Sequence, residues 1–165
     1  ILKENITNNK ISLVHANANS LKFDDMVFDA VWSVQTIQHI PDYKSVFREV
    51  YRVLKHKGHF WDYNLNNATL VRLIYLLFKK NYHLNGTIPN SFFLRRINEQ
   101  VLVDLRNIFN KDFMVRYTEI IFTPDLGLPL GGKPNSSIGW IDAKMGGSAK
   151  LKKLFARQCS THIKK

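Results

Sequence analysis

One stretch, residues 28–60, limits the folds open to this chain of 165 residues more than any other. It begins with the mostly apolar run AVWSV, in which Ser33 is the polar member. Runs of this kind are typical of strands buried on both faces of a parallel sheet. A helical pattern follows, and residues 59–63 then return to an aromatic strand pattern. A strand–helix–strand unit of this length favours a right-handed parallel crossover, so we expect an α/β fold.

The helix of this unit has a predicted start and one apolar side. Asp42 follows Ile40-Pro41, and its carboxylate is suited to accept hydrogen bonds from the first backbone N–H groups of a helix. Apolar residues then recur at a spacing that places them on one stripe of the helix surface. They are Val46, Phe47, Val50, Val53 and Leu54. We expect this stripe to pack against the sheet and residues 55–58 to end the helix.

Several short motifs inside residues 11–63 follow one another in a fixed register. They are LKF at 21–23, FD at 28–29, Ser33, HIPD at 39–42, Glu49, RVLK at 52–55 and Gly58. This stretch resembles the second half of a class I S-adenosylmethionine-dependent methyltransferase domain of the type-11, ubiquinone-methyltransferase-like kind. The resemblance implies a Rossmann-like α/β fold, S-adenosylmethionine as cofactor, and methyl transfer to a small-molecule or lipid-like acceptor. It also implies the family's strand order, 3-2-1-4-5-7-6, with the seventh strand antiparallel.

The first part of that family's pattern is not in these 165 residues. The glycine-rich loop after the first strand, and the acidic residue that binds the ribose, have no counterpart. We therefore expect residues 1–165 to be an incomplete, N-terminally truncated methyltransferase domain that is itself inactive and does not hold the cofactor tightly. In the family the strand at residues 11–14 lies next to the missing part. We expect this short strand to float or to pair irregularly beside residues 28–34.

The resemblance assigns roles to five residues. Asn17 and Ala18 align with the adenine-binding strand end, and Ser33 and Val34 align with positions beside the methionine part of the cofactor. Asn17 replaces the usual aspartate, but its amide oxygen can still accept from an adenine amine; the alternative is that Asn17 only turns the chain. His39 lies at the rim of the reaction site and is the candidate catalytic base. Its alternative role is to order the loop before Asp42.

Two further features concern the strand after the helix. Asp62, Tyr63 and Asn64 end that strand at the same edge of the sheet as Ser33, and are candidate substrate-facing groups. The turn KHKG at 55–58 stands where the family has Lys-Pro-Gly-Gly. If that turn needs a positive φ, Lys57 adds about 1 kcal/mol of strain.

The remainder of the chain divides into an insertion and a C-terminal part. Residues 65–94 read as a lid or insertion whose run LVRLIYLLF is apolar on nearly every side; burial is the preferred interpretation, and contact with an apolar substrate or a membrane surface is the alternative. Residues 95–165 read as helices and antiparallel strands. Ile97, Val101, Leu105 and Ile108 mark a helix, residues 113–122 a strand, residues 151–155 a short helix and residues 158–163 the final strand. Residues 123–147 read as a long loop.

Composition narrows the partners and the compartment. The formal net charge is +11 and the pI is near 9.8, which leaves a nucleic-acid role open without favouring it. Cys159 is the one cysteine, so we expect no disulfides, no cysteine-based zinc site and a cytoplasmic location. No cluster of metal-ligating residues is visible in the sequence, so we expect no metal site. No apolar run is long enough to span a membrane. The alternative to an enzyme is a non-catalytic methyltransferase-like remnant that acts as a basic binding module for RNA or a protein partner.

Overall fold

The computed structural model describes residues 11–120 and 149–165. Helices of 7–11 residues and strands of 3–12 residues make up the described chain, with a 3₁₀ turn at Ile37–His39. The helices are α1 (Tyr43–Val53), α2 (Thr69–Leu77), α3 (Glu99–Phe109) and α4 (Ala149–Phe155), and the strands are β1 (Phe28–Val34), β2 (Leu54–Leu65), β3 (Asn85–Thr87), β4 (Phe93–Arg95), β5 (Met114–Ile120) and β6 (Ala156–Lys164).

Four strands form one mixed sheet in the order β1-β2-β6-β5. Strands β1 and β2 are parallel, with α1 as the crossover between them, whereas β6 runs antiparallel to both of its neighbours. The predicted α/β fold is therefore confirmed. The last strand of the described chain, β6, lies between β2 and β5, as the 4-5-7-6 part of the expected strand order requires.

Helices α1 and α3 cover one face of this sheet. The apolar stripe of α1 places Phe47 against Phe60 of β2, with ring centroids 6.2 Å apart, and Phe109 of α3 stacks on Phe60 at 5.9 Å. Phe47 and Phe60 are fully buried, and burying a side chain of this size stabilises a fold by about 1.5–3 kcal/mol. Asp42 caps α1 as predicted, because its carboxylate accepts from the Ser45 N–H at 3.2 Å.

The opposite side of the sheet, here called the open face, carries stacked aromatic rings. Trp32 of β1 stacks on Trp61 of β2 at 4.7 Å, and Trp61 stacks on His162 of β6 at 4.6 Å. Trp32 is 67% and Val34 64% exposed. The residues of β1 and β2 therefore alternate between a covered face and an open face that carries large rings.

The strand predicted at residues 11–14 is wrong. Residues 11–16 belong to no strand, and Ile11, Leu13 and Val14 are each at least half exposed. In the described chain no strand pairs with this segment, which agrees with the expectation that it lacks regular pairing. Asn17 and Ser20 form an isolated β-bridge just after this segment.

Arg52 attaches the segment before β1 to helix α1. Its guanidinium donates to the carbonyl oxygens of Leu21 and Phe23 at 3.0 and 2.8 Å. It also forms salt bridges with Glu49 and Asp25, and the Leu21 N–H donates to Glu49 at 2.8 Å. Hydrogen bonds to charged groups are worth more than neutral ones, so this arginine compensates for the absence of a sheet ladder here.

The turn between α1 and the regular part of β2 is strained as predicted. Lys57 has a φ of 67°, a conformation that side chains with a Cβ adopt at a cost of about 1 kcal/mol. Gly58 next to it has no room for a side chain, because an added Cβ would lie 2.9 Å from the Lys55 carbonyl oxygen. Lys57 therefore adopts, with strain, the conformation that glycine provides in the family pattern.

The insertion differs from the preferred interpretation. Helix α2 was expected to be buried on every side, yet only Val71 and Tyr75 of its residues are buried. Strands β3 and β4 follow as a separate hairpin. The predicted helix at 97–108, the strand at 113–122 and the final strand correspond to α3, β5 and β6. The loop predicted at 123–147 lies outside the described residues.

Candidate active site

Three polar side chains form a buried row across neighbouring strands near the carboxyl end of β1. The register places Ser33 beside Asp62 of β2, and Asp62 opposite Thr161 of β6. Asp62 is 2% and Thr161 4% exposed. Ser33 Oγ, Asp62 Oδ1 and Thr161 Oγ1 are buried without a hydrogen-bond partner in the described structure. Unpaired polar atoms in a core cost stability, and such costs are common where a site serves function. We call Ser33, Asp62 and Thr161 the strand-end row.

Asp62 is the chemically unusual member of this row. Burial raises the pKa of its carboxyl from an ordinary value of 3.8 to about 7, while the Ser33 hydroxyl and the Asn64 amide act to lower it. A carboxyl group of this kind changes its charge near neutral pH. Groups whose pKa is moved by burial at the end of a strand are candidates for a functional site.

A chain of amide hydrogen bonds leads away from Asp62. The Asn64 side-chain amide donates to Asp62 Oδ2, and Asn64 Oδ1 accepts from the Gln38 backbone N–H at 3.2 Å. The Gln38 side-chain oxygen accepts from the Leu65 N–H at 2.8 Å. Both Asn64 and Gln38 are buried, so these bonds fix the position of the 3₁₀ turn over the end of β2.

His39 completes this chain and is held by both ring nitrogens. Its Nδ1 lies 2.8 Å from the Phe93 carbonyl oxygen, and its Nε2 lies 3.0 Å from the Gln38 Nε2. Because a carbonyl oxygen only accepts and an amide nitrogen only donates, Nδ1 carries the proton and Nε2 accepts. Phe92 contacts the ring edge-on at 4.8 Å. The neutral imidazole therefore presents a basic Nε2 that Gln38 occupies. We call Asn64, Gln38 and His39 the amide relay.

Asn17 and Ala18 lie in a loop that rests against the start of α1. The Asn17 Oδ1 accepts from the Asn19 N–H at 3.0 Å, which is the local turn that was the alternative role for this residue. Asn19 in turn donates to the Asp42 carbonyl oxygen at 2.6 Å. Ala18 packs against the main core, and the Asn17 side chain is exposed.

The structure places the five predicted site residues in different elements. Asn17 and Ala18 lie in the loop whose Asn19 side chain donates to the Asp42 carbonyl oxygen, and His39 lies three residues before Asp42. Ser33 lies in the strand-end row. The Val34 side chain points instead to the open face, where it is 64% exposed.

Gln38 and Thr161 were missed in the sequence. A signal existed for Asp62 and Asn64, because alternation with the apolar Phe60 predicts that both point to the covered face. Nothing local identifies Gln38 as a link, since its partners lie 26 and 27 positions away in the chain. Thr161 depends on the pairing of β6 with β2, which local pattern does not specify.

An open cavity of about 570 Å³ lies beyond the carboxyl end of β2. Its walls combine amide side chains with apolar ones; they include Asn67, Asn98, Gln100, Leu102 and Tyr117. Burial raises the pKa of Tyr117 to about 12, with the negative charges that Cys159 and Glu99 can carry adding to it. The phenol therefore stays protonated near neutral pH and can donate a hydrogen bond into this space.

Residues 11–120 and 149–165 contain neither a cluster of metal-ligating side chains nor a helix that could span a membrane. No group of three or more potential metal-ligating side chains comes together there. The helices of this part of the chain are too short or too polar to cross a bilayer.

The sequence comparisons point to one enzyme family. Residues 1–61 match the model of a family described as "Methyltransferase domain". A demethylmenaquinone methyltransferase from Anoxybacillus flavithermus is 38% identical over 72 residues, which cover 42% of this chain and 30% of that protein. The sterol 24-C-methyltransferase erg6 of Aspergillus fumigatus is 41% identical over 54 residues, 33% of this chain and 14% of that protein. The chain thus spans under a third of the length of these relatives.

The structural comparisons identify the fold. A methyltransferase from Archaeoglobus fulgidus, described as dependent on S-adenosylmethionine, superposes with a TM-score of 0.59 at 15% identity over 96% of this chain and 70% of its own. A methyltransferase from Thermotoga maritima gives a TM-score of 0.58 at 17% identity over 94% of this chain and 64% of its own. The fold is the Rossmann-like one of these enzymes. The match of residues 1–61 to a methyltransferase family model and the shared fold agree with the resemblance found in the sequence.

Proposed function

We propose that this protein transfers a methyl group from S-adenosylmethionine to a small-molecule or lipid-like acceptor. The observation that carries the proposal is the sheet order β1-β2-β6-β5, which agrees with the strand order expected from the methyltransferase resemblance and has Ser33 near the carboxyl end of β1. Open α/β sheets bind their ligands at this edge. The methyltransferase family match over residues 1–61 supports the same conclusion.

The residues at this edge fit a nucleoside sulfonium in charge and hydrogen-bonding type. Asn17 and the Ala18 N–H are neutral groups that suit an adenine ring, once the Asn17 amide leaves its local turn. Ser33 offers a hydroxyl that no described group occupies. The Asp62 carboxyl lies beside Ser33, and its ionised form attracts a cationic ligand. The cofactor supplies an activated methyl group with a good leaving group, so the protein has mainly to position the acceptor.

His39 is the proposed proton acceptor. Its Nδ1 is committed to the Phe93 carbonyl oxygen, which fixes the ring and leaves Nε2 as the basic atom. Gln38 occupies Nε2, so its side chain has to give way before an acceptor hydroxyl or amine can donate there. This step is needed only for acceptors that lose a proton during transfer.

The acceptor class is supported by the relatives and by the cavity beyond β2. Two of the relatives are named for the methylation of demethylmenaquinone and of a sterol, both largely apolar molecules. The cavity combines apolar side chains such as Leu102 with the phenol of Tyr117. An apolar wall with few polar groups is typical of a small-molecule site. We infer a cytoplasmic location from the single, buried and unpaired Cys159.

Methyl transfer by the full-length gene product tests this function. The assay follows tritium from methyl-labelled S-adenosylmethionine into an isoprenoid quinone precursor, a sterol and a small amine. We expect incorporation into an apolar acceptor and a 10²–10⁴-fold lower kcat in His39→Ala if the acceptor must lose a proton. Lys22→Ala, a change at an exposed residue that is not part of the amide relay, is the matched control and should retain full activity. No cofactor uptake and no transfer to any acceptor would favour a non-catalytic binding module.

A further inference from the structure

Helix α2 exposes apolar side chains instead of burying them. Val71 and Tyr75 face the body of the protein, whereas Leu73, Leu76, Leu77 and Phe78 are 48%, 71%, 80% and 54% exposed. Single exposed leucines are ordinary on protein surfaces, but four neighbouring large apolar side chains are not. Exposed apolar patches of this kind are typical of interaction surfaces.

The exposed residues form one stripe along the helix. Leu73, Leu76 and Leu77 follow the spacing i, i+3 and i+4, which places them on a single side of α2. We call Leu73, Leu76 and Leu77 the leucine stripe. The other side is anchored, because the Tyr82 hydroxyl accepts from the Ala68 N–H at 3.0 Å at the start of α2. The opposite side of α2 is therefore held against the protein, and the leucine stripe is exposed to solvent.

The surroundings of the leucine stripe are basic. The sequence contains no aspartate or glutamate between Asp62 and Glu99, and the exposed Arg72, Lys79 and Lys80 border the stripe. None of the salt bridges formed within residues 11–120 and 149–165 uses these three side chains. Arginines 95 and 96 of the same region are already bound to backbone carbonyl oxygens.

We propose that helix α2 lies on a membrane surface that contains anionic phospholipid. The leucine stripe enters the boundary between headgroups and acyl chains, and the long side chains of Arg72, Lys79 and Lys80 extend to the phosphates. Charge favours a membrane over a protein groove, because Arg72, Lys79 and Lys80, the charged side chains of the described residues that border the stripe, are all cationic and complement a surface of uniform negative charge. The proposal does not depend on methyl transfer and holds for a non-catalytic protein as well.

Co-sedimentation with sucrose-loaded vesicles tests this binding. We expect the 165-residue chain to bind vesicles of phosphatidylcholine with 30% phosphatidylglycerol at least tenfold more tightly than vesicles of phosphatidylcholine alone. Removing two basic side chains in Lys79→Ala/Lys80→Ala should weaken binding to the anionic vesicles by about 25-fold, at about fivefold for each residue. The matched control is Lys22→Ala/Lys111→Ala, which lowers the net charge equally at exposed sites elsewhere and should change binding little.

A second variant tests the apolar contribution. Leu76→Ser/Leu77→Ser leaves the charge unchanged and should lower the affinity for anionic vesicles by at least about tenfold, with an unaltered circular dichroism spectrum and melting temperature. The proposal would be overturned if Lys79→Ala/Lys80→Ala and Leu76→Ser/Leu77→Ser bound anionic vesicles as tightly as the native chain. It would also be overturned if the native chain did not bind these vesicles. A native dimer that only Leu76→Ser/Leu77→Ser dissociates, without vesicle binding, would show that the stripe joins two copies of the chain and would also overturn it.

Discussion

Asp62 is a carboxyl group buried away from the water that would stabilise its charge. It lies in the core beside Ser33 and Thr161, and burial raises its pKa to about 7. The unfolded chain releases this proton near pH 3.9. Between these values the folded state binds more protons, so the contribution of Asp62 to the free energy of unfolding falls as the pH rises from about 4 to about 7.

The variant Asp62→Asn removes this pH dependence. Its amide oxygen can still accept from Asn64, and its amide nitrogen carries no charge that burial would penalise. We expect the variant to match the native chain near pH 4 and to gain roughly up to 4 kcal/mol relative to it at pH 8, at 1.36 kcal/mol per pKa unit. Urea unfolding at both pH values measures this difference. The exposed Asp24→Asn serves as control, and an Asp62→Asn variant that loses stability at pH 8 would contradict the account.

At the scale of elements, Arg52 of α1 substitutes for a missing sheet neighbour. It binds two backbone carbonyl oxygens of residues 21–23 and two carboxylates, and no strand of the described chain holds this segment in its place. The loop that carries Asn17 and Ala18 leads directly into residues 21–23. The position of these two candidate residues therefore depends on a side chain that lies on the helix after β1.

Replacing Arg52 tests this dependence. Arg52→Ala leaves the Leu21 and Phe23 carbonyl oxygens without their donor, and we expect a loss of about 1–3 kcal/mol in the free energy of unfolding. Amide hydrogen exchange should also speed up within residues 17–25 more than within α1 itself. Arg48→Ala, an exposed arginine on the same helix, is the matched control. Equal exchange rates in residues 17–25 of both variants would show that something other than Arg52 holds the segment.

The sequence predicted those elements whose partners are near in the chain or follow a strong pattern. The β1–α1–β2 unit, the Asp42 cap, α3 and the strained Lys57 turn could be predicted because apolar spacing and turn chemistry are local. The exposure of α2 could not be predicted. A run such as LVRLIYLLF indicates that the helix needs apolar contacts, but it does not show which side packs against the rest of the protein. Residues 11–14 were assigned to a strand from pattern alone, but a strand also needs a neighbour.

For the whole molecule, the site is a property of pairing between distant strands. Ser33, Asp62 and Thr161 become neighbours only through the β1-β2-β6 register, and His39 becomes fixed only through Gln38 and the hairpin strand β4. Sequence resemblance named Asn17, Ala18, Ser33, Val34 and His39. It gave no sign of the amide relay, because the relay joins side chains that no local motif contains.

Titration of the ¹⁵N-labelled chain with S-adenosylhomocysteine, followed by amide chemical shifts, tests whether the cofactor binds at the carboxyl edge of the sheet. The glycine-rich loop has no counterpart in these 165 residues, so we expect weak binding, with a dissociation constant on the order of 1 mM. Saturable shifts should concentrate at Ala18, Ser33, Val34 and His39, and Ser33→Ala should weaken them. Shifts confined to other parts of the molecule, or none at millimolar ligand, would contradict the assignment of this edge of the sheet to the cofactor.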